Sequence, residues 1–132
     1  MRLSNLRLRP MLAACVLLLT LLLSACRDDP MGRTVERIDA LVVLMDTHKE
    51  DPDTLLKELD VFIKDNAEGF AKDREALLKM DAESLLQLSG KHEDILQERL
   101  MDLMDVSLEI QDRLRYSPDK LKQFQKLIES LR

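Results

Sequence analysis

The chain has 132 residues, with 20 basic and 25 acidic side chains and a formal net charge of −5 at pH 7. An acidic chain gains no counterion-release attraction to nucleic acid, so that class of partner is excluded. Three glycines, four prolines and 3% aromatic residues, beside abundant Leu, Glu, Lys and Asp, point to helix rather than sheet.

The N-terminal segment has the three parts of a secretory signal. Arg2, Arg7 and Arg9 form a positive start without an acidic residue, Met11 to Leu23 is an apolar run, and Ser24-Ala25 supplies small residues before a cut. A helix across a bilayer needs about 20 apolar residues. Met11 to Cys26 falls short of that, and Arg27-Asp28-Asp29 ends the run, so a transmembrane helix is the weaker alternative. An ordinary secretory signal cut near Ala25, leaving Cys26 as a free thiol, is another.

Leu23-Ser24-Ala25-Cys26 closes the apolar run and resembles the lipobox of bacterial lipoproteins. The resemblance implies that residues 1–25 are a signal peptide removed on maturation. It further implies that Cys26 is the lipidation site, with diacylglycerol on its sulfur and a third acyl chain, such as palmitate, on its amine. Each buried methylene contributes about 0.8 kcal/mol, and stable anchoring takes two chains or more. Arg27 follows the cysteine, where Asp retains such proteins in the inner membrane of enterobacteria-like systems. The expected address is therefore the periplasmic face of a bacterial membrane, the outer favoured over the inner. Leu12-Ala13-Ala14-Cys15 also fits a lipobox pattern, but only the basic stretch precedes it. Cys15 reads as a filler of the apolar run, with lipid acceptor as its alternative role.

Without Arg2, Arg7 and Arg9 the balance is 17 basic to 25 acidic residues, a net charge near −8. A basic patch for anionic lipid is thereby excluded, and the anchor is expected to be lipid. Cys26 is the one cysteine left, so no disulfide, cysteine metal site or thiol nucleophile is expected. Residues 26–33 read as a lipidated polar tether and residues 34–132 as a single helical domain.

The domain is expected to be all-α: a helical hairpin, a long helix and a short C-terminal helix in a small bundle. The first helix is predicted from Thr34, as its cap, to about Lys49, with Val35, Ile38, Leu41, Val42 and Met45 as the apolar stripe. Asp51-Pro52 caps and starts the second, which shares Leu55, Leu59, Phe62, Ile63 and Asn66 on one face. The short connection predicts an antiparallel hairpin. Asn66-Ala67-Glu68-Gly69 reads as a helix end, with Gly69 at positive φ; a glycine inside a continuing helix is the alternative. From Ala71 to Tyr116 the pattern predicts one unbroken helix, with a break at Ser89-Gly90 as the alternative. Its stripe runs from Leu78 through Leu85, His92, Leu96, Leu100 and Leu103 to Leu114. Ser117-Pro118-Asp119 starts the last helix, whose stripe is Leu121, Phe124, Leu127, Ile128 and Leu131.

Catalytic chemistry is not apparent. Gly32, Gly69 and Gly90 are scattered, no nucleophile elbow is present, and the carboxylates alternate with Lys and Arg as solvated faces. His48 suits a helix C-terminus, and His92 reads as a half-buried, hydrogen-bonded histidine. Met101 and Met104 have a spacing found in periplasmic copper proteins, but among Leu100, Leu103 and Val106 they read as core filler. The Leu-Thr-x-x-Gln motif of helical stress chaperones is absent. The pattern as a whole resembles small helical lipoproteins of Gram-negative bacteria, which implies no activity. The expected function is noncatalytic: a lipid-anchored interaction or structural module of the cell envelope, with no cofactor. Its expected partners are the membrane, through the lipid, and either an envelope protein or a second copy. A periplasmic helical chaperone, or a metal or ligand sensor, is the alternative.

Overall fold

Three prolines, each preceded by a capping residue, set three of the four helix starts. The computed structural model describes residues 28–132. Helix α1 spans Pro30–His48, α2 Pro52–Leu78, α3 Ala82–Leu114 and α4 Pro118–Glu129. The described residues contain no strand, and the chain is all-α as expected. Pro fits the first helical position because its fixed φ is helical and its missing N–H would be unpaired there.

The carboxylate of Asp29 accepts the Gly32 N–H at 2.8 Å, and that of Asp51 accepts the Thr54 N–H at 3.2 Å. Ser117 holds the cap position before α4 without a side-chain capping bond. The first helix thus begins at Pro30 and not behind a Thr34 cap, which takes four residues from the expected tether. Thr34 instead donates its hydroxyl to the Pro30 carbonyl at 2.9 Å.

Two further expectations are corrected. Helix α2 runs through Gly69 to Leu78, and no described glycine has positive φ. The next break falls at Lys79-Met80-Asp81, where Asp81 accepts both the Ser84 N–H and the Ser84 hydroxyl at 2.9 Å. The unbroken helix expected from Ala71 is therefore two, although α3 does pass Gly90 without interruption.

The helices run alternately up and down. The connection of residues 49–51 makes α1 and α2 the expected antiparallel hairpin. Ion pairs met in the same order along both chains make α1 and α3 parallel: Asp29 with His92, Asp39 with Arg99, Lys49 with Glu109. α4 returns beside α2, from Lys120 on Asp53 to the Arg132 carbonyl under Arg74. α1 packs on both α2 and α3, and α4 packs on the same two helices.

The apolar core gathers where α1 and α3 end and α2 begins. Met45, Leu55, Leu59, Ile110, Leu114 and Phe124 are fully buried there. With 12 residues, α4 is about 18 Å long, against about 50 Å for the 33 residues of α3. Four helices therefore meet at one end, three in the middle, and at the other end only the α2–α3 hairpin continues.

Candidate functional site

The segment Leu23-Ser24-Ala25-Cys26 expected as a lipobox, Cys15 and Arg27 lie outside the described residues. The site that can be described is the end of the bundle from which the chain leads back to them. Its first fixed residue is Asp29. One carboxylate oxygen caps α1 through Gly32; the other lies 2.7 Å from Nε2 of His92 and 3.5 Å from Nζ of Lys91, both on α3. Burial acts to raise the Asp29 carboxyl, but the Gly32 N–H and the His92 and Lys91 contacts outweigh it and hold it below its ordinary value. An ionised carboxylate only accepts, so Nε2 of His92 carries the proton of this bond. The half-buried, hydrogen-bonded reading of His92 holds, and His48 closes the last turn of α1 as expected.

One turn further, Arg33 and Arg37 reach from α1 to Asp73 on α2. Asp73 is 3% exposed, the one buried charged residue among those described. Arg33 donates Nη2 to Oδ1 at 2.8 Å, and Arg37 donates to Oδ2. Burial pushes the Asp73 carboxyl up, but the two guanidinium groups more than reverse this and keep it below the ordinary value. The Arg37 guanidinium crosses α2 at Gly69 and lies 5.6 Å from the centre of the Phe70 ring. A Cβ on Gly69 would come within 2.6 Å of Arg37 Nη2. Gly69 leaves room for this crossing and makes no turn.

Sequence reasoning missed this cluster, although it left a trace. Asp73 lies in phase with Leu55, Leu59, Ile63 and Phe70 of α2, a carboxylate on an otherwise inward stripe. Arg33 and Arg37, four apart on one face of α1, are its complement.

Above the core, where α4 ends, all four helices border an apolar cleft of about 590 Å³. Ile38, Leu77, Leu100, Leu103 and Leu131 line it, with Arg74 at the rim. Its size is within the range of small-molecule sites.

Met101 and Met104 are not core filler. They are 65% and 62% exposed, on the face of α3 turned away from α1, with Leu108 in line. Of the apolar residues around α3, Val106, Ile110 and Leu114 take the buried places. Leu78, expected on the stripe, is 80% exposed. Among the described residues there is no cluster of three His, Cys, Asp or Glu fit to hold a metal ion, and no helix long and apolar enough to cross a membrane. No family model, curated protein or solved structure matches the chain.

Proposed function

We infer that this chain is a lipid-anchored, noncatalytic interaction module of the bacterial cell envelope, held at the membrane through Cys26. The observation that carries the reading is the lipobox pattern ending at Cys26, three residues ahead of a fixed helical start at Asp29. A bundle clamped this close to an anchor suits a part that holds a partner at a set height above the lipid. That partner is an envelope protein or a second copy of the chain. Arg27 favours the outer membrane.

Mass spectrometry of the membrane-extracted protein should show a lipid-modified N-terminal Cys26, and Cys26→Ser should block maturation. Normal processing and membrane retention of that variant would sink the reading. Crosslinking in cells from Met101 and Met104, both exposed, should then trap the partner.

A second reading, a periplasmic ligand sensor, is favoured by the apolar cleft of about 590 Å³. Its metal-sensing form would use the exposed thioethers of Met101 and Met104. Titration with Cu(I) under reducing conditions separates the two. Tight binding lost in a Met101→Leu/Met104→Leu variant moves the sensor to first place.

A further inference from the structure

The hairpin that carries α2 into α3 overshoots the start of the bundle. Ten residues of α3, Ala82 to Lys91, precede the His92 contact with Asp29. At 1.5 Å per residue they project about 15 Å beyond it. α2 likewise continues from Asp73 to Leu78 past its contacts with the first turns of α1.

This overhang is apolar at its tip. Leu78 and Leu86 are 80% and 73% exposed, and Leu85 is exposed beside them. Residues 84–90, Ser-Leu-Leu-Gln-Leu-Ser-Gly, are the longest run without a charged residue in 28–132. Over residues 74–91 the charges cancel: Arg74, Lys79 and Lys91 against Glu75, Asp81 and Glu83. The tip is thus neutral on a chain that is otherwise strongly acidic.

We propose that Leu78, Leu85 and Leu86 at the tip of the α2–α3 hairpin enter the lipid surface to which Cys26 ties the chain. The proposal rests on the anchoring of Cys26 proposed above, and tether length supplies the reason. From Cys26 to Asp29 the chain spans at most about 11 Å, three residues at full extension. The tether is shorter than the overhang. The body of the bundle blocks approach from the opposite direction, since α1 extends 19 residues that way. A bundle standing on the membrane therefore brings Leu85 and Leu86, about 10 and 9 Å beyond His92, level with the plane of the anchor when the tether is fully extended, and past it when the tether is not. A bundle lying down still has its tip beside that plane. Interfacial elements bury their apolar residues about 5–10 Å into the headgroup boundary, a depth that Leu85 and Leu86 approach when the tether runs at about half its full extension. Lys79, next to Leu78 at the turn, has a stem long enough to keep its charge in the headgroup layer.

The test uses the full chain, processed in cells, extracted and reconstituted into phosphatidylcholine vesicles containing acyl-brominated phosphatidylcholine as a quencher. Leu86→Cys and Leu108→Cys are labelled separately with an environment-sensitive fluorophore, and the intact mass reports the state of Cys26. Both leucines are exposed, but Leu108 lies 16 residues beyond His92 on α3, about 24 Å to the other side. With lipid on Cys26, the Leu86 label should be quenched several-fold more strongly than the Leu108 label. Adding Leu78→Glu should weaken that quenching without changing the circular dichroism. Lipid on Cys26 with an unquenched Leu86 label, or with both labels quenched alike, overturns the tip contact and leaves the anchor standing. A mass without lipid overturns the anchor, and the tip contact falls with it.

Discussion

The two ends of the bundle are held by different physics. At the closed end four helices meet around Met45, Leu55, Leu59, Ile110, Leu114 and Phe124, all fully buried, with the ion pairs Lys49–Glu109 and Lys120–Asp53 at the rim. At the open end, where α1 begins, only α1, α2 and α3 are present, and beside the buried Pro30, Val35 and Ile38 charged side chains join the helices: Arg33 and Arg37 on Asp73, His92 and Lys91 on Asp29. The short α4 sets the boundary between them. Where it stops, apolar side chains lose a wall and a cleft opens; beyond, register is kept by charge pairs. A bundle built in this way is expected to unfold from the open end first, because exposed ion pairs contribute less than buried apolar area.

The largest effect should come from the closed end. Phe124 is the largest fully buried side chain, and α4 has no other fully buried residue. Phe124→Ala should cost about 3–5 kcal/mol in urea unfolding, from lost transfer energy and the cavity left behind. A cost near zero would mean that α4 is not part of the core.

Asp73→Asn should rank second. It leaves two guanidinium groups facing a neutral amide in a buried place. Breaking a fully buried pair costs about 3–5 kcal/mol, and because Arg33 remains over a third exposed the expected loss is nearer about 2 kcal/mol. Amide exchange should accelerate in the first two turns of α1 and stay slow around Met45. Equal acceleration at both places would remove the distinction between the ends.

Acid should act on the same end, more weakly, because a protonated carboxyl still hydrogen-bonds. The Asp29 and Asp73 carboxyls both sit below their ordinary value in the folded chain. A lowered folded pKa contributes stability that is present above the unfolded value and is lost as pH falls through the folded one. Thermal midpoints should thus be level from pH 6 to about pH 5 and decline below about pH 4. In Asp73→Asn the decline should be shallower. A midpoint that rises on acidification would contradict the ion-clamped end.

Local chemistry made much of the fold legible. Asp51-Pro52 and Ser117-Pro118 announce their helices, and the three-to-four spacing of Leu55, Leu59 and Ile63, or of Ile110 and Leu114, marks the inward faces. Asp29-Pro30 carries the same start signal, but Gly32 and Arg33 close behind it make the stretch read as a tether. What was not legible depends on partners distant in sequence. α3 has apolar residues on two faces, and only the packing of α1 decides that Val106 is buried while Met101 and Met104 face out. The turn at residues 79–81 contains no glycine or proline. Asp81 alone marks it, and an aspartate is equally at home on a solvated helix face. The open end was legible at His92 but not at Asp73, where the telling feature is a charge in an apolar phase.

Gly69 and Gly90 offer the smallest effects and the sharpest contrast, since local propensity treats them alike. Each sits inside a helix, where replacing Gly by Ala gains about 1 kcal/mol. A Cβ at Gly90 meets nothing within 4 Å, so Gly90→Ala should realise most of that gain. A Cβ at Gly69 would strike the Arg37 guanidinium at 2.6 to 2.9 Å and push it off Asp73. A hydrogen bond to a charged partner is worth about 1.5–3 kcal/mol, so Gly69→Ala should be a net loss of about 1 kcal/mol despite the better helix former. The sign should reverse once the obstruction is removed. In an Arg37→Ala background, Gly69→Ala should stabilise by about as much as Gly90→Ala does, a coupling that a double-mutant cycle in urea measures directly. If Gly69→Ala destabilises equally with and without Arg37, the glycine serves some other contact, and the crossing of Arg37 over α2 does not hold the open end.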